Sequence, residues 1–158
     1  GHGYTLHTTL MRPKSRGSVT LQSADPHQPP AIDPGFYTHP DDMAVAIKGA
    51  RMGFEILEAK AMAAYRGKRL HAVDVNDDKA MEAFLRATCD TEYHPVGTCK
   101  MGPDSDPMAV VDAQLRVKGV LGLRVVDASI MPTLTSGNTN APSMVIGEKA
   151  ADLIRSGV

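Results

Sequence analysis

The sequence predicts an α+β fold, in which a mixed or antiparallel sheet is flanked by helices. Three observations predict it. Residues 4–12 show the period-two alternation of side chains that is typical of a strand. Two later stretches repeat apolar residues with a helical period. Short apolar runs after residue 109 lead into a last helical stretch. The chain has 158 residues, enough for an ordinary core, with neither internal repeats nor a low-complexity tract.

The predicted strands are short. Residues 4–12 form the first strand, with Leu6, Thr8 and Leu10 on one face, and residues 18–21 form a second strand that closes a hairpin-like pair. Five prolines between residues 25 and 40 exclude a helix or a central strand there. Further short strands are predicted at 110–111, 115–117 and 123–126.

Three helices are predicted. The first runs from residue 41 to about residue 64, where Gly49 and Gly53 either weaken the helix or mark a close packing neighbour. The second spans 77–89 behind a polar cap, and the third spans 142–155 and is ended by a glycine. The apolar stripe of the first helix is predicted to be Val45, Ile47, Met52, Ile56 and Leu57.

Two polar stretches carry the candidate chemistry. Residues 93–98 present His94 on a backbone stiffened by Pro95, and residues 135–142 place Ser, Asn and Thr before a helix start. A helix start offers unpaired N–H groups and a positive dipole end, which suit a group that gains negative charge. A base beside such an end suits proton removal coupled to two-electron transfer. We therefore predict that the two stretches meet.

Composition narrows the class of protein. The 17 basic and 18 acidic residues leave a net charge of −1, which argues against a nucleic-acid partner. The cysteines, Cys89 and Cys99, form no close pair, and no apolar run approaches the roughly 20 residues that span a bilayer. We predict reduced thiols, no membrane association and a cytoplasmic protein.

Three motifs resemble one family. The runs YHPVGTCKMG at 93–102, VVDAS at 125–129 and SGNTNAPSMVIG at 136–147 resemble the C-terminal signature of the glucose-methanol-choline (GMC) flavin oxidoreductases, with the choline-dehydrogenase-like branch nearest. The segment MRPKSRGSV at 11–19 is similar to part of the family's substrate domain. The resemblance covers nearly the whole chain.

The resemblance implies FAD as cofactor and a small alcohol as substrate. In the family the first histidine lies over the flavin and helps to remove the alcohol proton while hydride passes to flavin N5, so His94 is the expected base. The imidazole's ordinary pKa near 6.5 suits this role. Asn138 occupies a position where the family has His or Asn, and we expect its amide to bind the substrate oxygen. Expected contacts to the cofactor come from Asp127, Ala128, Asn138, Thr139, Asn140 and Ala141.

The resemblance also implies a missing partner. No G-x-G-x-x-G motif occurs and no initiator Met opens the chain, so we expect the C-terminal portion of a larger flavoenzyme, inactive without its N-terminal FAD-binding portion. Residues 1–92 would belong to the substrate domain. Residues 93–158 would complete the FAD-binding domain and the active site.

Several alternatives stay open. The chain could belong to a non-catalytic flavoprotein relative, or act as a free-standing ligand- or protein-binding module. A metal site of Cys89, His94 and Cys99 is disfavoured because it lacks a fourth ligand and known zinc spacing. Neither the electron acceptor nor the alcohol is specified. Only three Phe, four Tyr and no Trp are available to surround a choline-type cation.

Overall fold

The regular secondary structure consists of three helices and two short strands within the described residues. The computed structural model describes residues 3–157. In chain order the elements are β1 (Ser18–Thr20), β2 (Ala31–Asp33), α1 (Pro40–Glu58), α2 (Asp78–Thr88) and α3 (Asn140–Arg155), with 3₁₀ turns at Lys60–Met62 and Ala128–Ile130. The strands pair as one two-stranded antiparallel sheet. The α+β class is therefore confirmed.

The protein divides into two compact units. The first contains the residues up to Gly17 together with Ile32–Glu92, and the second contains Ser18–Ala31 together with the residues from Tyr93 onward. The predicted division at residue 92 differs from these units because residues 18–31 belong with the second unit. The assignment of the two parts to substrate and cofactor binding stays a prediction.

The first unit is built on α1 and α2. Met43 and Ala50 of α1 pack with Met81 and Leu85 of α2, and all four are buried. The Arg51 guanidinium adds a polar link: its Nε donates to the Val75 carbonyl oxygen at 2.6 Å, and Nη2 lies 2.5 Å from Asp78 Oδ1. α2 begins where predicted, since the Asp77 carboxylate caps the backbone N–H of Lys79.

The start of α1 fixes the segment before it. His39 is the N-cap residue, and its imidazole accepts from the backbone N–H of Asp41. Asp42, in the first turn, is only 4% exposed, and its carboxylate accepts the backbone N–H groups of Lys14 at 2.9 Å and Ser15 at 2.7 Å. The buried Asp42 side chain therefore connects the turn at residues 13–17 to α1 by hydrogen bonds.

Two features of α1 differ from the prediction. The helix ends at Glu58 and not near residue 64, because Ala59 is extended and the Arg66 side chain donates to the Glu58 carbonyl. The predicted apolar stripe is also wrong in most of its members. Met43, Ala50 and Gly53 face the interior, whereas Val45, Met52 and Ile56 are exposed.

The prediction of a first strand at residues 4–12 is wrong. Residues 3–10 have no regular secondary structure and instead lie against α1. A Cβ at Gly53 would meet Leu6 Cδ2 at 3.0 Å, and a Cβ at Gly49 would meet Thr8 Cβ at 3.7 Å. The two glycines therefore mark a close packing neighbour, which was one of the two readings of their positions. Leu6 and Leu10 are half-buried, as expected for one shared face.

The strand β1 has a different partner from the predicted one. It pairs with β2, inside the proline-rich stretch, and not with residues 4–12. Prolines flank β2 at Pro30 and Pro34 and are tolerated because a strand of a two-stranded sheet has one side free of ladder bonds. The exclusion of a central strand from this stretch therefore holds, but an edge strand occurs.

The second unit has a core without regular strands. Val111, Leu115, Ile130 and Ala150 are buried together, the last from α3. The predicted strands at 110–111, 115–117 and 123–126 are isolated bridges instead, namely Met101 with Val111, Val111 with Val117, and Arg116 with Arg124. Leu115, Gly119 and Gly122 adopt positive φ, and these tight turns leave no room for a continuous ladder.

Two further observations concern membrane-spanning helices and the two cysteines. No helix within residues 3–157 is both long and apolar enough to cross a membrane. Cys89 and Cys99 are not joined by a disulfide bond, and their reduced state stays a prediction.

Candidate functional site

The loop that carries His94 is held in an unusual backbone shape. Tyr93 adopts φ of 60° and Gly97 adopts φ of 90°, on either side of the His94-Pro95 pair. A side chain on Gly97 would bring its Cβ to 3.3 Å from the Met131 carbonyl oxygen, so glycine suits both the conformation and the close approach. Proline restricts the residue before it to extended conformations. These constraints aim the imidazole from an otherwise irregular segment.

The His94 imidazole is bonded at both ring nitrogens. Asn138 Nδ2 lies 2.7 Å from His94 Nε2, and Thr139 Oγ1 lies 2.9 Å from His94 Nδ1. The ring itself is half-buried, Thr139 is buried at 7% exposure, and Asn138 is exposed. The two polar stretches therefore meet in space, with the exposed amide on the Nε2 side and the buried hydroxyl on the Nδ1 side.

The third motif is joined to the first by the backbone. Cys99 N–H donates to the Ser129 carbonyl at 3.0 Å, and Met101 N–H donates to the Ile130 carbonyl at 2.8 Å. These bonds lay the segment after His94 along the 3₁₀ turn that follows Asp127. All three sequence motifs consequently contribute to one region of the second unit.

Asp127 and Ala128 lie at the start of this 3₁₀ turn. The Asp127 carboxylate accepts the backbone N–H of Ser129 at 2.7 Å and acts as the cap of the turn. The residue is exposed, and this bond uses one of its two carboxylate oxygens. The expected contact of Asp127 and Ala128 with the cofactor stays a prediction.

The start of α3 has the features of an anion-binding helix end. It carries no acidic residue in its first turn, and its N-cap residue, Thr139, makes no side-chain cap bond. Asn140 and Ala141, the first residues of the helix, are both exposed. Uncapped N–H groups and the positive end of the helix dipole favour a group that carries or gains negative charge. The start of α3 therefore suits an anionic group, and the expected contact of Asn140 and Ala141 with the cofactor stays a prediction.

The Thr139 hydroxyl does not cap α3. A threonine directly before a helix is ordinarily a cap, but this hydroxyl bonds to His94 instead. The Thr139 carbonyl does start the helix, because it accepts the backbone N–H of Ser143 at 3.0 Å and the Ser143 hydroxyl at 2.7 Å. The sequence signals a cap-type residue at this position, but not the histidine that engages its side chain.

The structure gives less support to the other candidate sites. No cluster of three or more metal-ligating side chains occurs within the part of the chain that the structure describes. A cavity of about 180 Å³ lies beside α3, lined by apolar side chains and one lysine. None of the predicted site residues lines it, so the His94 region and this cavity are separate.

Comparison with known proteins identifies the class to which this fold and site belong. The family described as GMC oxidoreductase matches residues 13–147, in the region of its C-terminal domain. The chain belongs to this family of oxidoreductases.

Individual relatives agree with this assignment. The chain is 46% identical over 155 residues to "Alcohol dehydrogenase [acceptor]" of Pseudomonas putida, covering 98% of this chain and 28% of the relative. It is 49% identical over 154 residues to "Oxygen-dependent choline dehydrogenase" of Rhizobium rhizogenes, covering 97% of this chain and 28% of the relative. The chain thus spans less than a third of the length of either.

A solved structure supports the fold and the cofactor. An FAD-dependent oxidoreductase from Chaetomium thermophilum superimposes with a TM-score of 0.84 at 31% identity, over 93% of this chain and 26% of that protein. FAD, the cofactor that the resemblance implied, is confirmed for the family.

Proposed function

We propose that the whole protein to which this chain belongs oxidises a primary alcohol to an aldehyde with FAD as the hydride acceptor, and that His94 is the base. The single observation that carries the proposal is the contact of 2.7 Å between His94 Nε2 and Asn138 Nδ2 immediately before the uncapped start of α3. The contact thus brings together a proton acceptor, an oxygen-binding amide and a positive helix end, to which FAD would add the hydride acceptor.

His94 and Asn138 have different roles toward the substrate hydroxyl: His94 accepts its proton, and Asn138 binds its oxygen. An amide nitrogen only donates hydrogen bonds, so Nε2 accepts from Asn138 and carries a lone pair. An alcohol that enters the site displaces the Asn138 amide from Nε2, donates its O–H to the freed lone pair and accepts a hydrogen bond from the displaced amide. As the carbon loses hydride, the hydroxyl proton moves to Nε2 and the oxygen becomes the aldehyde oxygen. A positioned base of this kind contributes about 10²–10⁴-fold to the rate.

The remaining predicted residues act around the cofactor. FAD, when bound, supplies the acceptor for the hydride. The backbone N–H groups of Asn140 and Ala141 stabilise the negative charge that the acceptor gains, because the first turn of α3 offers no competing acidic side chain. Asp127 and Ala128 contact the cofactor from the neighbouring 3₁₀ turn. Asn138 and Thr139 complete this set.

The substrate class rests on the relatives. Those reported above are named for alcohol and choline oxidation, which supports a small alcohol for this protein. Its few aromatic residues leave a choline-type cation weakly supported by the chain itself. The rest of the protein, with its FAD-binding portion, is the required partner, and we expect this chain alone to be inactive. The cytoplasmic location stays a prediction.

Anaerobic bleaching of the flavin tests the proposal. The intact protein is loaded with FAD and mixed, without oxygen, with choline, benzyl alcohol or a short primary alcohol. We expect the yellow colour to bleach with at least one alcohol and one equivalent of aldehyde to form. Ethyltrimethylammonium, which has the shape of choline without its hydroxyl, is the control and should leave the flavin oxidised.

Two other results would contradict the proposal. Uptake of FAD without bleaching by any alcohol would support a non-catalytic flavoprotein relative. An intact protein that takes up no FAD, but binds a small molecule or another protein tightly, would support a binding module.

A further inference from the structure

Thr139 connects the helix start to the buried edge of the His94 ring. It is 7% exposed and is the N-cap residue of α3, yet its hydroxyl makes no cap bond. The hydroxyl oxygen lies 2.9 Å from His94 Nδ1 instead. A buried threonine that leaves its helix uncapped in order to bond a neighbouring histidine indicates a role in placing that histidine.

The partners of the imidazole define which nitrogen carries the proton. Asn138 Nδ2, a donor, lies 2.7 Å from Nε2, so Nε2 accepts. A neutral imidazole has one donor and one acceptor nitrogen, which makes Nδ1 the donor. The acceptor available to Nδ1–H is Thr139 Oγ1. The backbone N–H of Thr139 also donates to Nδ1, at 3.4 Å, which favours the opposite tautomer, but this contact is longer than the 2.9 Å contact of the hydroxyl.

We propose that the Thr139 hydroxyl is a positioning group that holds His94 in the Nδ1–H tautomer and so keeps the Nε2 lone pair directed at the substrate hydroxyl. This inference rests on the proposed role of His94 as the base. The Thr139 hydroxyl acts on the reaction only through His94, since it faces the nitrogen opposite the one that takes the proton.

Removal of the hydroxyl changes the balance between the tautomers. In Thr139→Val the side chain keeps its shape, but Nδ1–H has no acceptor, while the backbone N–H of residue 139 still faces Nδ1. The ring then favours the Nε2–H tautomer, which accepts that N–H at Nδ1 and donates toward the oxygen of the Asn138 amide. An Nε2 that already carries a proton cannot take one from the alcohol. Thr139→Ser keeps the hydroxyl and should keep the tautomer.

The test uses the intact, FAD-loaded protein and two readouts. The first is the rate constant of flavin reduction by an alcohol under anaerobic conditions. We expect a fall of about 10–100-fold in Thr139→Val, by analogy with groups that orient a metal-ligating histidine, and near-normal rates in Thr139→Ser. Ser143→Ala is the matched control: its hydroxyl bonds the Thr139 carbonyl and not His94, so reduction should be unchanged. The affinity for FAD should be similar in all three variants.

The second readout is the tautomer itself, measured by ¹⁵N NMR on the ¹⁵N-histidine-labelled protein, with the His94 signals assigned by their loss in His94→Ala. We expect a protonated Nδ1 in the wild type and in Thr139→Ser, and a shift toward a protonated Nε2 in Thr139→Val. A protonated Nε2 in the neutral wild-type ring would overturn the inference without any variant.

The outcomes separate this inference from the proposed function. Slow reduction in His94→Ala with a normal rate in Thr139→Val overturns the role of Thr139 and leaves that of His94 intact. A normal rate in His94→Ala overturns the proposed function itself. A large loss of FAD affinity in Thr139→Val also overturns the inference, because the hydroxyl would then serve folding or the cofactor.

Discussion

Asp42 is a carboxylate buried at the start of α1, where two backbone N–H groups of the preceding turn bond to it. Burial by itself raises the pKa of this carboxyl, but the hydrogen bonds from the Lys14 backbone and from the Ser15 hydroxyl and backbone outweigh it, and the pKa lies below its ordinary value. The folded state therefore favours the ionised form. That preference makes the stability of the first unit depend on pH.

We predict that Asp42→Asn lowers the free energy of unfolding of the intact protein by about 2 kcal/mol at pH 7, because hydrogen bonds to a charged group are lost. The stabilisation from a depressed pKa is complete above the unfolded value near pH 4 and is lost as the pH falls through the folded value. The difference between wild type and variant should therefore shrink below about pH 4. Urea unfolding at pH 7 and at several lower values measures it.

The adjacent carboxylate provides the control. Asp41 is exposed and pairs with Lys14 Nζ at 2.6 Å on the surface, where solvent screens the pair. Asp41→Asn should change stability much less than Asp42→Asn. A difference between wild type and Asp42→Asn that stays constant across the whole pH range would contradict the prediction.

Single residues also show what a sequence reveals and what it conceals. His94 and Asn138 could be proposed as partners because each lies in a recognisable motif and the motifs resemble a family. The bond from Thr139 to His94 could not be predicted, because a threonine before a helix is ordinarily a cap. His94, the residue that it bonds instead, is 45 positions distant in the sequence. His39, which caps α1, was missed because imidazole is an uncommon capping group.

Among the elements, helices were predicted better than strands. Helix starts depend on local signals such as Asp77 before α2, and these signals are readable. The alternation of residues 4–12 correctly indicated an extended segment with one inward face, but a strand also needs a hydrogen-bonding neighbour, which local sequence does not specify. The apolar residues of α1 lie on more than one face, so the period could not select the buried one.

The contact between residues 3–10 and α1 can be tested at its two glycines. Gly49→Ala places its Cβ at an ordinary 3.7 Å from Thr8, so the variant should gain about 0.5–1 kcal/mol of stability through better helix propensity. Gly53→Ala brings its Cβ to 3.0 Å from Leu6 and 3.2 Å from Thr8, which requires the segment to shift and should cancel that gain. Thermal unfolding of both variants measures the difference. Equal stabilisation in the two would contradict this packing.

At the scale of the whole molecule, three motifs separated along the chain form one region. The bonds from Cys99 and Met101 to the turn after Asp127 join two of them, and His94 joins the third through Asn138 and Thr139. The order and spacing of these motifs were sufficient to predict the family, which the match over residues 13–147 confirms. The substrate was not predictable, because the chain spans less than a third of relatives such as the Pseudomonas putida alcohol dehydrogenase.

The measurement that tests the account most directly is the anaerobic rate constant of flavin reduction by alcohol in the intact wild type, His94→Ala and Asn138→Ala. The account predicts a fall of about 10²–10⁴-fold when the base is removed. Loss of the Asn138 amide removes one hydrogen bond and should slow reduction only about tenfold. His27→Ala, which alters an exposed histidine elsewhere, should react normally. Small and equal effects in the two site variants would contradict the account.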